Sequence, residues 1–263
     1  MSFDGKVVWI TGASSGIGKS LAEAFSKSGA TLVLSARREP VLRNVQHLCR
    51  NPESHLVLPL DMCEPTAVIP AVNQVLEKFG KIDFLVNNAG ISQRALALDT
   101  HLDVDRQIME TNYFGPVALT KAVLPSMVKR RSGHIVVISS LLGKFGVAYR
   151  TAYAGSKHAL HGFFDSLRVE VHDACVKVTV VCPGFIHTNV SLNALAADGS
   201  GHGQMDHDIQ HGMDSNKCAR QILRAIEKNK LETYVAGKER LALLLKRFSM
   251  RLFQRVILRT RLK

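Results

Sequence analysis

The chain has 263 residues, 46% of them apolar and 21% charged. That excludes a largely disordered chain and suits one α/β domain of the larger kind with a sizeable core. The formal net charge of +12 is unevenly placed: from Lys238 onward nine Lys/Arg face one acid, Glu239, so the tail carries +8 and the preceding 237 residues only +4. A nucleic-acid role for the whole domain is thereby left without support.

The opening run "MSFDGK" shows no charged-then-apolar leader, and nowhere do 18 apolar residues run uninterrupted. The expectation is a soluble, cytoplasmic main body. Short apolar runs then alternate with helical patterns, with neither linker nor repeat. Strands are expected at "VVWI" (7–10), "TLVLS" (31–35), "HLVLPL" (55–60), "DFLVN" (83–87), "HIVVIS" (134–139), "KVTVVC" (177–182) and "TYVA" (233–236). The first six are continuous and β-branched, as strands covered on both faces are.

After the first strand, "KSLAEAFSKSG" puts Leu21, Ala24, Phe25 and Ser28 on one helical face and stops at Gly29. Pro65 and Thr66 start another helix after "DMCE". The alternation predicts an α/β fold, a doubly wound, seven-stranded and mostly parallel sheet of the Rossmann type, with ligands beyond the carboxyl ends of the strands. Cys49, Cys63, Cys175, Cys182 and Cys218 form no C-x-x-C pair and fit reduced thiols, with Cys182 in the core.

"TGASSGIGKS" (Thr11–Ser20) resembles two different phosphate-binding loops. A triphosphate loop requires a glycine five residues before Gly18, and Ala13 stands there. The spacing is instead Gly12-x-x-x-Gly16-x-Gly18, directly after a strand and before a helix, which fits a dinucleotide loop. Gly12 permits the turn, Gly16 lets backbone approach a pyrophosphate, and Gly18 lets helix and strand pack closely, with the helix N-terminus facing the phosphates.

About 20 residues on, "LSARRE" has Arg37 and Arg38 where an acid would hold the ribose 2′-hydroxyl of NAD. Cations there suit the 2′-phosphate of NADP, and Ser14 can add a hydroxyl; two solvated arginines at a helix start remain the plain alternative. NADP is the expected cofactor and NAD the lesser one.

In "ISSLLGKFGVAYRTAYAGSKHAL", Tyr153 and Lys157 stand at i and i+4 and share a helical face, while Ser140 ends a strand thirteen residues before the tyrosine. Tyr149 and Tyr113 have no lysine four residues on and read as pocket wall or core. Together with TGASSGIG (11–18), Asp61, NNAG (87–90), Asn112 and PGFIHT (183–188), these residues resemble the short-chain dehydrogenases/reductases in their single-domain form, over residues 5 to about 237. "PGFIHTNVSLNALAADG" with "GQMD" is more similar still to the subgroup named dehydrogenase/reductase member 7B.

The resemblance implies a site. Tyr153 would be general acid in reduction and base in oxidation, with Lys157 lowering its pKa as a nearby cation does. Lys157 would also hold the nicotinamide ribose, Ser140 the substrate oxygen, and Asn112 a water linking Lys157 to solvent. The cofactor would lie along Gly12, Ser14, Ser15, Gly16, Ile17 and Gly18, with Asp61 and Met62 at the adenine. Asn88, Ala89 and Gly90 would brace strand four, and Pro183, Gly184, Ile186 and Thr188 would cover the nicotinamide.

From Asn189 to Ser215 the chain turns polar and glycine-rich, where the family carries a substrate lid. Ser92, Gln93, Leu141, Leu142, Val147, Tyr149, Phe185 and Leu192 are the expected substrate-side residues, a mostly apolar set suited to a hydrophobic ketone or secondary alcohol. His202, His207 and His211 are irregularly spaced, and no metal is expected.

Residues 1–237 would form the catalytic domain and 238–263 a basic amphipathic helix, with Arg247, Arg251, Arg255 and Arg259 beside Phe248, Leu252, Phe253, Val256 and Ile257. That helix can lie on an anionic bilayer, or dock on its own domain or a sister subunit; both readings stand. The family implies a homodimer or homotetramer.

Overall fold

In a computed structural model of the chain, residues 3–260 are described. The apolar runs become β1 (Val7–Thr11), β2 (Thr31–Ser35), β3 (Leu56–Val57), β4 (Phe84–Asn87), β5 (Gly133–Ile138), β6 (Val176–Pro183) and β7 (Glu232–Val235). All pair in parallel in the order β3-β2-β1-β4-β5-β6-β7. The order reverses between β1 and β4, and the carboxyl ends there open the crevice in which such sheets bind ligands.

The helices are α1 (Gly16–Lys27), α2 (Glu39–Leu48), α3 (Val68–Phe79), α4 (Leu102–Met109), α5 (Gly115–Arg130), α6 (Thr151–Glu170), α7 (His207–Gln210), α8 (Ser215–Glu227), α9 (Leu241–Phe248) and α10 (Met250–Thr260). Two apolar cores result, one on each sheet face. Leu21 and Phe25 of α1, Leu42 of α2 and Ile222 of α8 fill one, while Val72 of α3, Leu119 of α5 and Phe164 of α6 fill the other. Coverage on both sides is why the strands carry continuous apolar runs.

Three expectations need correction. The third strand was expected over 55–60, but only Leu56–Val57 forms a ladder. Pro59 has no N–H to donate. The chain still follows β2, with Leu58 N donating to Leu34 O and Leu60 N to Ala36 O.

On α1, Leu21 and Phe25 are buried as expected, whereas Ala24 and Ser28 are half-buried and Ala22 and Ser26 complete the inner face. That face serves α8 as well as the sheet, and Ser20 Oγ donates to Ser215 Oγ across the two helices at 2.9 Å. Gly29 follows at φ +91°, the left-handed position that favours glycine at a helix end.

The tail is two helices and not one. Ser249 is extended (φ −154°, ψ 105°), and its hydroxyl accepts the Leu252 N–H, starting α10 anew. Phe253 and Ile257 turn inward, with the Phe253 ring 5.4 Å from that of Phe145, and Lys246 Nζ donates to Lys144 O. Own-domain docking is therefore present. Arg261 and Lys263, counted in the basic tail, lie outside the described residues, as do Met1 and Ser2. Among the described residues no helix is long and apolar enough to cross a membrane.

Candidate active site

Above the carboxyl ends of the strands lies one continuous cleft of about 2300 Å³. Its floor on one side is backbone. Gly12 sits at φ +63°, and a Cβ there would come within 2.8 Å of Ala89 Cα. At Gly16 (φ +53°) a Cβ would press on Thr188 Cγ2 at 3.0 Å, and at Gly18 it would lie 2.2 Å from Gly12 O. The turn is thus closed to side chains at three points, for conformational freedom at the first two and for close packing at the third. Gly16 and Ile17 open on the cleft at the start of α1, whose unpaired N–H groups and dipole suit an anion. Gly18 lies beneath the loop and does not line the cleft.

Asn88 clamps this floor: its Nδ2 donates to Thr11 O (2.9 Å) and Gly12 O (3.2 Å), and Thr11 Oγ1 accepts from the backbone N–H of both Asn88 and Ala89. Ser14, Ser15, Asp61, Met62, Ala89 and Gly90 all line the cleft. One carboxylate oxygen of Asp61 accepts the Cys63 N–H at 3.0 Å, which leaves the other available. Arg37 and Arg38 are exposed on the cleft wall, and among the described residues no acid pairs with either. Their neighbour Glu39 is taken by Arg43, with Nη2 at 2.5 Å and Nε at 2.9 Å from Oε1. These residues therefore fit a dinucleotide, on grounds of a backbone cradle for its phosphates and unneutralised cations on the wall.

On the other side the cleft floor is side chains. Ser140 follows β5 and starts a 3₁₀ turn (Leu141–Gly143), its Oγ accepting Leu142 N–H at 3.1 Å. Tyr153 and Lys157 project from the first turns of α6. Lys157 is 4% exposed, donates to Ile138 O at 2.9 Å, and holds its ammonium 5.7 Å from the Tyr153 ring centre. Burial pushes its pKa down to about 8, opposed weakly by the Cys182 thiol. The Tyr153 phenol is pushed up by burial and drawn back by the Ser140 hydroxyl and the Arg150 guanidinium. Arg150, three residues before the tyrosine and absent from the residues expected in the site, is thus a second cation beside Lys157 on this side of the cleft.

Asn112 is fully buried behind this group, in a π-helical turn (Glu110–Phe114) between α4 and α5. Its Oδ1 accepts Ile91 N–H at 2.8 Å, while Nδ2 donates to Ile91 O and Ser156 Oγ. It does not line the cleft. A π-turn inserted in a helix commonly marks a functional position. Pro183, Gly184, Ile186 and Thr188 do line it, as do Ser92, Leu141, Leu142, Val147, Tyr149, Phe185 and Leu192.

Gln93 was expected on the substrate side and is not there. It is fully buried, donating to Thr100 Oγ1 and accepting Ala152 N–H, so it ties the start of α6 to the loop after β4. Tyr149 adopts φ +66°, costly for a residue with a side chain, and packs under the Arg94 guanidinium at 5.1 Å. Tyr113 packs against Phe163 and Phe114, off the cleft.

Two further elements were not anticipated. The tail walls the cleft: Leu241, Leu244, Leu245, Phe248, Val256 and Ile257 line it. Its one acid, Glu239, accepts from the Gly237 and Phe185 N–H groups, anchoring the tail to the loop after β6. Beneath Ser139 lies a cluster of His161, Cys182 and Glu232 with ligand-type atoms within 4.8 Å of one another. Lys144 Nζ already lies 2.6 Å from Glu232, and burial pushes the Cys182 thiol up to about 12, so the group reads as support under the turn after β5. His202, His207 and His211 join no such group among the described residues.

Comparison with known proteins agrees with this geometry. The family described as short chain dehydrogenase matches residues 6–198. The rat dehydrogenase/reductase SDR family member 7B is 44% identical over 95% of this chain and 80% of its own. A Drosophila dehydrogenase/reductase SDR family protein 7-like is 49% identical over 84% and 70%. A crystal structure of a short-chain dehydrogenase from Streptomyces avermitilis superposes with a TM-score of 0.85 at 33% identity, covering 95% of both chains. One from Burkholderia phymatum, in complex with NAD, also reaches 0.85, at 23% identity and 96% of both chains, and speaks to the fold alone. By its sheet order, its glycine-floored cleft and these relatives, the chain belongs to the short-chain dehydrogenase/reductase family.

Proposed function

We propose that the protein is an NADP-dependent oxidoreductase that interconverts a carbonyl and a secondary alcohol on a hydrophobic substrate. The observation that carries the reading is Tyr153, placed between the Ser140 hydroxyl and the buried Lys157 ammonium in the same cleft as the glycine loop. NADP(H), when bound, supplies or accepts the hydride. The glycine loop and α1 would hold its pyrophosphate, Arg37 and Arg38 its 2′-phosphate, and Asp61 and Met62 its adenine.

The chain's own part is proton transfer and orientation. Ser140 Oγ stabilises charge on the substrate oxygen, and Tyr153 gives or takes the proton there. Lys157 orients the nicotinamide ribose, and Asn112 serves the proton path behind it. Leu142, Tyr149 and Phe185, with the apolar wall of α9 and α10, favour a hydrophobic substrate. An NAD-preferring enzyme is the variant reading, and a dinucleotide-binding sensor without turnover is the rival. An NADPH-oxidation screen against aliphatic, aromatic, retinoid and steroid carbonyls decides: turnover lost in Tyr153→Phe supports the enzyme, and NADPH binding with no turnover on any substrate supports the sensor.

The outward faces of α9 and α10 support peripheral contact with an anionic bilayer. Met250, Leu252 and Leu258 are exposed away from the cleft there, beside Arg247, Arg251, Arg255 and Arg259. Arg251→Glu with Arg255→Glu should abolish flotation of the full chain with anionic vesicles; equal recovery of both proteins would end this reading. Sedimentation would read the dimer or tetramer that the family implies.

A further inference from the structure

Arg150 is an expensive residue. It is 7% exposed and caps the N-terminal end of α6, where the helix dipole disfavours a cation. Its guanidinium donates to Ser92 Oγ and to Asp206 Oδ2. Arg94 Nε lies 3.3 Å from the other oxygen of the same carboxylate. Asp206 belongs to the lid, where its own N–H donates to Ser191 Oγ at 3.1 Å. Nearby, Leu195 N donates to Ser92 O and Arg94 N to Leu195 O, both at 2.8 Å. One lid carboxylate therefore joins three pieces of chain: the lid, the loop after β4, and the first turn of the catalytic helix. The pair is 56 residues apart in sequence.

We propose that Arg150 is a positioning residue, and that it forms with Asp206 one charge unit that ties the lid to α6 and sets how readily Tyr153 holds its proton. A guanidinium near a phenol favours phenolate, and a carboxylate paired with that guanidinium, as Asp206 is, weakens the effect. The other groups facing Tyr153 or Arg150 are Ser140 from the turn after β5, Lys157 one turn along α6, and Arg94 after β4. Ser140 and Lys157 make no contact with Asp206, whereas Arg94 shares its carboxylate and is perturbed with it. Opposite-sign consequences follow from the two ends of a single ion pair, which a merely structural contact does not produce.

The consequence for turnover rests on the acid–base role proposed for Tyr153, but the test needs no turnover. The phenolate difference spectrum of the full chain is titrated with and without Tyr153→Phe, so that the signal of Tyr153 is isolated from the other tyrosines. Arg150→Gln should move that titration up by about 0.5–1 pH unit, and Asp206→Asn should move it down by a similar amount. Arg150→Lys, which keeps the charge, should stay near the parent. Both neutral variants should also be cut faster by protease within residues 189–215. Shifts of the same sign, or none, would overturn the electrostatic coupling, and unchanged proteolysis would overturn the lid tie. If Arg150→Gln fails to fold, the sign of the Asp206→Asn shift decides alone. Intact titration shifts in a protein without turnover would leave the pair standing while removing the oxidoreductase reading.

Discussion

The two ends of the cleft are built from different materials. At the β1–α1 turn the wall is backbone, with Gly12, Gly16 and Gly18 each closed to a side chain and the Asn88 side-chain amide clamping the loop through the Thr11 and Gly12 carbonyls. Beyond Tyr153 the wall is side chains from distant segments: Arg94, Arg150 and Asp206 at the lid, and Leu241, Leu244 and Phe248 on the tail. The backbone end constrains its ligand tightly, since the glycine turn at its floor has no rotamer to change. The side-chain end is adjustable, because its contacts are ion pairs and apolar faces that residue changes can retune. One fold can thus keep its cofactor while its substrate varies.

The comparison is broken most sharply at the junction of the two ends. Tyr153→Phe keeps the ring and removes the proton, so turnover should fall by at least about 10³-fold while NADPH affinity changes less than about 2-fold. Stopped NADPH oxidation alongside a fluorescence titration of the cofactor reads both. A variant with near-parental rates would move the acid elsewhere.

Next in size is Lys157. Its folded pKa, about 8, lies below the ordinary 10.5, so the protonated form costs stability in the folded protein. That cost is fully present below about pH 8 and is relieved as pH rises towards 10.5, where the unfolded chain also loses its proton. Lys157→Met should therefore be more stable than the parent at pH 7, by about 1–3 kcal/mol, with the difference shrinking at pH 9.5. Urea unfolding of the cofactor-free protein at the two pH values measures it; a difference that grows with pH would contradict the assignment. Stability surrendered at this one position is what a group retained for chemistry predicts.

Gly18→Ala tests the backbone end. The added methyl would lie 2.2 Å from Gly12 O, and a carbonyl on a clamped loop has little room to move. A loss of about 1–3 kcal/mol in thermal or urea unfolding should accompany weaker NADPH binding. The same substitution at Gly155, where a Cβ meets nothing within 4 Å, should be neutral or stabilising and serves as the control.

The same division decides what could be read before the fold was known. Glycine spacing and the Tyr153–Lys157 step map directly onto one turn and one helix face, so the placement of both in the cleft was legible from local periodicity. Arg150 stands three residues before Tyr153, but nothing local marks it until Asp206, 56 residues away, is seen to meet it. The break at Ser249 was equally hidden, because Phe253 and Ile257 are drawn inward by Phe145 and the main core, a long-range contact with no local signature. Gln93 failed for the same reason, its amide being claimed by Thr100 and the Ala152 N–H.

The smallest expected effect concerns the cofactor's identity. Arg37 is exposed at the end of β2, with Glu39 held away by Arg43, so its charge faces the cleft unneutralised. An exposed cation is screened, and its contribution to a phosphate is a charge-assisted contact in water, not a buried one. Arg37→Asp should thus lower kcat/KM with NADPH about 10-fold and raise it with NADH by a smaller factor, since a carboxylate there repels a 2′-phosphate and can accept from a 2′-hydroxyl. The NADPH penalty should fade as salt is raised, while the gain with NADH, a short hydrogen bond, should not. Steady-state rates with both cofactors at low and high ionic strength separate the two contributions. If neither cofactor responded, Arg37 would have no part in choosing between the two cofactors.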